Sequence, residues 1–283
     1  MRTLYVTDLD GTLLNTKDRI NPESLRLLNE LIDRGMLFTY ATARSLASAS
    51  VVAEGLKMTM PVIVYNGAFI MDPCTGEILS SLYFTEEEAA FVRRNIEETQ
   101  VSPLVYSFLE NVEKVSWNTR RENEGIERYL SLRKGDRRLR PLDGTDGLYD
   151  GRIFYYTCVG EKEELMPLYD IISKDDRFRC TIQQELYRPE YFCEIMPRRA
   201  TKAEAIKKLK EMWNCDRVVS FGDAINDIPM FEISDECYAV ENAVPELKKA
   251  ATAVVDSNDR DGVAKWLWEN AEANCRIPAF MLR

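Results

Sequence analysis

Apolar runs alternate with helix-like segments over the first 82 residues, and this alternation limits the folds open to the chain. Asn21 and Pro22 are typical of a helix start, and Gly35 is typical of a helix end. Such strand–helix–strand repeats predict a parallel sheet with helices on both faces. The alternating strand and helix segments, in order, are 3–8, 22–34, 36–42, 44–56 and 61–66.

The pattern changes after Leu82 and returns near residue 198. The segment 68–82 has the pattern of a hairpin, and the basic run 133–140 that of a solvated loop. We therefore predict an α/β fold: a Rossmann-like parallel sheet core, residues 1–82 and 198–283, with an inserted α+β cap domain, residues 83–197. The helices and strands expected within the insert are 85–99, 104–110, 112–118, about 120–132, 152–159, 162–173, 177–184 and 191–197.

Composition excludes several classes of protein. The net charge of −10 argues against a nucleic-acid partner, which requires clustered Lys and Arg. No apolar run approaches the length of a membrane span or a signal segment, so we expect no membrane partner. The seven cysteines lack CxxC spacing and indicate reduced thiols and a cytoplasmic protein. Histidine is absent, so acid–base chemistry must use carboxylates, Lys, Cys or Tyr.

Two carboxylates, Asp8 and Asp10, directly follow the first apolar run. Gly11 then permits a turn that other residues resist. Like charges at this spacing repel, and each raises the cost of ionising the other. A divalent cation is the simplest partner that offsets this repulsion, because hard cations bind carboxylate and carbonyl oxygens.

Polar residues at three further points are expected near these carboxylates. Thr42 ends the second strand, Lys202 opens a helix, and Asp223 ends a strand of the second half. Ligands of open parallel sheets bind at the carboxyl ends of the strands. Acids, a hydroxyl and a Lys at one sheet edge predict a site for an anion and a metal, with phosphate and Mg²⁺ as the natural occupants.

Four short stretches resemble the motifs of the haloacid dehalogenase superfamily. They are "DLDGTLL", "ATARS", the Lys of "RATKAEAI" and "GDAINDIPMF". Their order, and an insert between the second and third, resemble the Cof-type phosphatases, which carry an α/β cap at that point. Ala43 and Ala203 stand where members of the family often have Gly.

The resemblance implies a role for each matching residue. Asp8 corresponds to the nucleophile that forms an aspartyl-phosphate, and Asp10 to the general acid and base. Arg44 and Asn66 are further candidates for contact with the substrate or for support of the site. The implied ligands of Mg²⁺ are Asp8, the Asp10 carbonyl and Asp223, with Asp227 acting on bound water; the implied phosphate-binding groups are the N–H groups of Leu9 and Ala43 with Thr42, Lys202 and Asn226.

The expected function is a Mg²⁺-dependent phosphatase that acts on a small phosphorylated metabolite. A sugar phosphomutase that uses the same aspartyl-phosphate is one alternative, and a non-enzymatic sensor of phosphorylated metabolites is another. The motifs are compatible with sugar phosphates, nucleotides, flavin mononucleotide and pyridoxal phosphate. The sequence carries no signal for an oligomeric state.

Overall fold

A computed structural model describes residues 1–184 and 189–271. The chain divides into two compact units. The first unit combines Met1–Ser81 with the chain from Ala200 onward, and the second spans Leu82–Arg199. The roles of these units as catalytic core and cap stay predictions.

The first half of the first unit has five strands and two helices. Pro22 occupies the first turn of its first helix, and the Ser45 side chain caps the second by accepting a hydrogen bond from the Ser48 N–H. In chain order these elements are β1 (Thr3–Thr7), α1 (Pro22–Asp33), β2 (Leu37–Tyr40), α2 (Leu46–Val52), β3 (Val62–Val64), β4 (Phe69–Met71) and β5 (Ile78–Ser81).

The second unit lies next in the chain and is built on a six-stranded sheet in the order β10-β11-β9-β6-β7-β8. Its pairs are antiparallel except β7 with β8. Its elements are α3 (Glu86–Thr99), β6 (Pro103–Leu109), β7 (Val112–Asn118), α4 (Glu124–Ser131), β8 (Leu139–Leu142), β9 (Arg152–Gly160), α5 (Lys162–Ile172), β10 (Phe178–Gln184) and β11 (Tyr191–Pro197).

Helices α3 and α5 pack together and contribute Val92 and Leu165 to the apolar core of this unit. The paired strands and helices confirm the predicted α+β insert. One strand was not predicted, because residues 133–140 were assigned to a loop. Instead, Leu139–Leu142 pairs with β7, and Arg138 forms ion pairs with Glu113 and Asp136 at 2.8 and 2.6 Å.

The remaining elements return to the first unit. The Thr201 hydroxyl accepts a hydrogen bond from the Glu204 N–H and thereby caps the first of these helices. The elements are α6 (Lys202–Met212), β12 (Arg217–Gly222), α7 (Ile228–Glu232), β13 (Glu236–Val240), α8 (Pro245–Ala250), β14 (Ala253–Val255) and α9 (Gly262–Asn270).

The central sheet of the first unit is entirely parallel, with the order β14-β13-β12-β1-β2. Every residue of β1 and β2 is buried, as expected for a sheet covered on both faces. These observations confirm the predicted α/β fold. The predicted strand 61–66 differs: β3 joins β4 and β5 in a separate antiparallel sheet, and a single bridge links Ala41 to Ile63.

Candidate active site

The carboxyl ends of β1 and β12 bring two of the predicted acids to one sheet edge. The strands are parallel neighbours in which Thr7 pairs with Phe221. Asp8 directly follows Thr7, and Asp223 directly follows Gly222, the last residue of β12. The Asp8 N–H donates to the Phe221 carbonyl oxygen at 3.0 Å, which continues the ladder by one residue. The sheet register thus places Asp8 beside the loop that begins at Asp223.

A tight turn, residues 9–13, follows Asp8 and contacts Asp223. Gly11 has φ of 74°, which strains any other residue, and a Cβ atom on it would lie 2.3 Å from Oδ2 of Asp223 and would displace that carboxylate. The Thr12 hydroxyl donates to Oδ1 of Asp223 at 2.9 Å. Asn242 supports the turn through its Nδ2, which donates to the Gly11 carbonyl oxygen at 2.7 Å. In the Asp-Gly-Thr sequence, the glycine therefore permits the turn and the close approach to Asp223, and the threonine donates a hydrogen bond to Asp223.

Lys202 lies between two buried carboxylates. Its side chain is only 1% exposed, and Nζ donates to Oδ1 of Asp8 at 2.7 Å and to Oδ1 of Asp227 at 2.8 Å. Burial by itself lowers the pKa of Lys202, but the charges and hydrogen bonds of the two acids outweigh burial and raise the pKa above its ordinary value. Lys202 is therefore a buried cation and not a surface residue of α6.

Asp227 is fully buried and organises the loop after β12. Its Oδ2 accepts hydrogen bonds from the N–H groups of Asp223 and Ala224 at 3.1 and 3.2 Å, while Oδ1 accepts from Lys202. Both oxygens are therefore engaged by donors of the chain. This arrangement favours an indirect role for Asp227 at a metal, through bound water and the loop it holds.

The three acids form a cluster that suits a hard cation. Asp8, Asp223 and Asp227 each offer one carboxylate oxygen, and these oxygens lie within 4.8 Å of one another. Burial raises the pKa of Asp223 to about 6, against the hydrogen bond from Thr12. Burial also raises the pKa of Asp8, as do Asp227 and Asp223, while Lys202 opposes the rise. Three carboxylates against one ammonium leave excess negative charge, which fits a divalent cation.

Thr42 follows β2 and is fully buried. Its Oγ1 accepts a hydrogen bond from the Arg44 N–H at 3.1 Å, which leaves the hydroxyl hydrogen available for an anion. Ala43 is exposed beside it, Leu9 is buried at the start of the turn after Asp8, and Asn226 is partly buried in the loop that follows Asp223. Four of the five predicted phosphate-binding residues thus lie in segments that follow strands of the first unit, whereas Lys202 lies at the start of α6.

Asn66 and Gly67 form part of a turn that sequence reasoning only partly identified. The Asn66 N–H donates to the Thr42 carbonyl oxygen at 2.9 Å. The backbone of Asn66 has a φ angle of 54°. Its side-chain Oδ1 is buried and accepts no hydrogen bond from any described residue. Gly67 approaches Thr201 closely. The Asn-Gly pair signalled a turn, but its contact with the start of α6 has no signature in the sequence.

Asp10 stands apart from the acidic cluster. Its carboxylate forms an ion pair with Arg44 at 2.5 Å, and its side chain is 46% exposed. Sequence analysis identified Asp10 and Arg44 as candidate site residues but did not predict the ion pair between them. Thr12 and Asn242 were not singled out, although the first belongs to the quoted motif.

Comparisons with known proteins identify the family of this chain. The sequence profile described as haloacid dehalogenase-like hydrolase matches residues 5–267. The 5-amino-6-(5-phospho-D-ribitylamino)uracil phosphatase YwtE of Bacillus subtilis is 26% identical, over 92% of this chain and 95% of that protein. YitU, a Bacillus subtilis protein with the same activity in its name, is 25% identical over 94% of this chain and 96% of its own.

Solved structures show the same fold. A crystal structure of a Thermotoga maritima protein aligns with a TM-score of 0.78 and 27% identity, and the alignment covers 97% of this chain and 99% of the other. A haloacid dehalogenase-like hydrolase from Bacteroides thetaiotaomicron aligns with a TM-score of 0.77 and 22% identity. That alignment covers 95% of this chain and 99% of the other. This chain belongs to the family of haloacid dehalogenase-like hydrolases, as a phosphatase of the Cof type.

Proposed function

We propose that the protein is a Mg²⁺-dependent phosphatase that hydrolyses small phosphomonoesters through an aspartyl-phosphate on Asp8. The observation that carries the proposal is the buried group of Asp8, Lys202, Asp223 and Asp227 at the strand ends of the first unit. A nucleophile, a cation and a set of oxygen ligands are the parts that phosphoryl transfer needs.

In the first step an oxygen of the Asp8 carboxylate forms a bond to phosphorus as the bond from phosphorus to the alcohol oxygen breaks. Asp10 donates a proton to the departing alcohol. Lys202, Thr42 and Asn226 hold the phosphoryl oxygens, together with the N–H groups of Leu9 and Ala43. The hydrogen bond from Lys202 fixes one oxygen of Asp8, and no described residue donates a hydrogen bond to the other oxygen.

In the second step Asp10 accepts a proton from water, whose oxygen attacks the phosphorus atom bound to Asp8. Inorganic phosphate leaves and the Asp8 carboxylate is restored. Asp8, Asp223 and the Asp10 carbonyl would hold Mg²⁺, and Asp227 would orient its water ligands. The bound cation would neutralise charge on the phosphoryl group and on the clustered acids.

Phosphate release tests this function directly. We expect turnover of alkyl and aryl phosphomonoesters with Mg²⁺, loss of turnover in excess chelator, and recovery when Mg²⁺ returns. Calcium should substitute poorly, because it prefers more ligands at longer distances than the octahedral Mg²⁺. A sugar phosphomutase would instead return an isomerised phosphate ester, and a sensor would bind phosphate esters without turnover.

We further propose that the inserted unit selects the substrate, which is a small phosphorylated metabolite. Every group assigned to the chemistry lies in the first unit, so the second unit is available for recognition. The first compound to test is 5-amino-6-(5-phospho-D-ribitylamino)uracil, which appears in the names of YwtE and YitU. If residues 82–199 are exchanged for the matching segment of a relative, the rank order of kcat/KM over a metabolite panel should follow the exchanged segment.

The location of the protein stays a prediction that rests on its cysteine pattern. Within the described residues, no helix has the length and apolar character needed to span a membrane.

A further inference from the structure

One arginine engages both carboxylate oxygens of Asp10. Arg44 Nε donates to Oδ2 at 2.8 Å, and Nη2 donates to Oδ1 at 2.5 Å. A bidentate fork of this kind restricts the rotation of a carboxylate much more than a single hydrogen bond does. This restriction matters because the Asp10 side chain is about half exposed and lies in the tight turn after β1, directly before Gly11.

Arg44 is itself held by the loop after β2. Its N–H donates to Oγ1 of Thr42 at 3.1 Å, and its carbonyl oxygen accepts from the Tyr65 N–H at 3.0 Å. Nη1 of its guanidinium also donates to the Ser48 hydroxyl at 3.3 Å. The side chain is only 23% exposed. The orientation of Asp10 therefore depends on the same loop that carries Thr42.

We propose that Arg44 is a positioning residue that holds the Asp10 carboxyl in the orientation needed for proton transfer to the leaving oxygen. The inference rests on the proposed function, in which Asp10 protonates the departing alcohol. A general acid works only within hydrogen-bond reach of its target. Without the fork, a half-exposed Asp side chain spreads over several rotamers and spends less time within that reach.

The nature of the leaving group separates this role from a general structural one. An alkoxide is a poor leaving group and needs a proton, whereas a nitrophenolate leaves readily as an anion. The ratio kcat/KM is suited to the comparison because it covers only the steps up to departure of the alcohol. The later attack of water, in which Asp10 acts as a base on either substrate, does not enter it.

We expect Arg44→Lys and Arg44→Gln to lower kcat/KM for the best alkyl phosphate by about 10- to 100-fold, part of the 10²- to 10⁴-fold that general acids typically supply. The loss with p-nitrophenyl phosphate should be about 3-fold or less, because protonation contributes little there. Arg26→Gln is the matched control, since Arg26 forks to Glu23 on the surface of α1 at 2.9 and 2.7 Å. That variant should match the unaltered protein on both substrates.

A double-mutant cycle completes the test. If Arg44 acts through Asp10, then Arg44→Gln added to Asp10→Asn should cause no further loss with the alkyl phosphate. Equal losses on both substrates, or additive losses in the cycle, would overturn the inference and leave the phosphatase assignment standing. Failure of the unaltered protein to hydrolyse either substrate would instead overturn the proposed function.

Discussion

Gly67 lies against Thr201 so closely that a Cβ atom on Gly67 would sit 2.1 Å from the Thr201 carbonyl oxygen. The contact joins the turn after β3 to the first residue of α6, which is Lys202. Because both partners at the contact are backbone, neither can move aside as a flexible side chain would. The position of the buried lysine is therefore set partly by a glycine from a distant part of the chain.

Gly67→Ala should destabilise the protein and impair catalysis together. The added methyl group pushes on the start of α6, and φ of 100° is unfavourable for alanine. Gly76→Ala is the control, since Gly76 has φ of 75° but nothing within 4 Å of its added Cβ. Denaturant unfolding should show about 1–2 kcal/mol lost in the control from backbone strain and a larger loss in Gly67→Ala. Equal losses would show that the contact is unimportant.

Lys202→Met should abolish turnover and strongly destabilise the protein. The change leaves Asp8 and Asp227 buried without their shared cation, and breaking a buried ion pair from one side costs about 3–5 kcal/mol. Lys207→Met removes an exposed pair with Glu204 on the same helix and should change stability by about 0.5 kcal/mol or less. Urea unfolding in the presence of a chelator measures both. A Lys202→Met protein as stable as the control would contradict the buried pairing.

The stability of the metal-free protein should depend on the charge of Asp223. Its folded-state pKa of about 6 is raised from the model-peptide value of 3.8. A raised carboxyl pKa contributes stability that is fully present below pH 3.8 and is lost as pH rises through about 6. In chelator, the melting temperature of the unaltered protein should therefore fall relative to that of Asp223→Asn between pH 4.5 and about 7.

Added Mg²⁺ should reverse this loss at neutral pH, because a ligand that binds only the folded state stabilises it by mass action. The stabilisation should be smaller at pH 5, where protons compete for the carboxylates. If the two proteins respond in parallel to pH and to Mg²⁺, Asp223 is neither perturbed nor a metal ligand.

The sequence predicted the sheet and the strand-end acids because both follow from local patterns. Buried parallel strands appear as apolar runs, and the residue after such a run, Asp8 or Asp223, must lie at the carboxyl edge. The edge strand β3 was misplaced since a short apolar run does not reveal which sheet it joins. The strand Leu139–Leu142 was missed because its pairing with β7 overrides a sequence that contains Arg and Pro.

Contacts between side chains that are far apart in the sequence could not be predicted from local patterns. The position of Lys202 in the sequence could not distinguish it from a surface residue of an amphipathic helix. Its two partners, Asp8 and Asp227, lie 194 residues earlier and 25 residues later in the chain. The pairing of Arg44 with Asp10 spans 34 residues and joins two loops, so no periodicity reports it. These contacts could be identified only from the structure, in which the loops at the carboxyl edge of the sheet come together.

Asp8→Asn should remove turnover without unfolding the protein. The amide is not a competent nucleophile, but its oxygen can still accept the hydrogen bond from Lys202. The change also removes a carboxylate whose charged form is disfavoured by burial and by the charges of Asp227 and Asp223, so the metal-free melting temperature should hold or rise. Thermal unfolding in chelator checks this, and a marked fall would mean that the Asp8 charge stabilises the fold.

The most direct test is to trap the phosphorylated enzyme. Excess protein is mixed with a phosphomonoester and Mg²⁺, quenched in acid within one turnover, digested and examined by mass spectrometry. We expect a phosphoryl group on the peptide that contains Asp8, and no such group when the Asp8→Asn protein is treated identically. Rapid turnover with no phosphorylated peptide, or a phosphoryl group on another residue, would contradict the assignment of Asp8 as nucleophile.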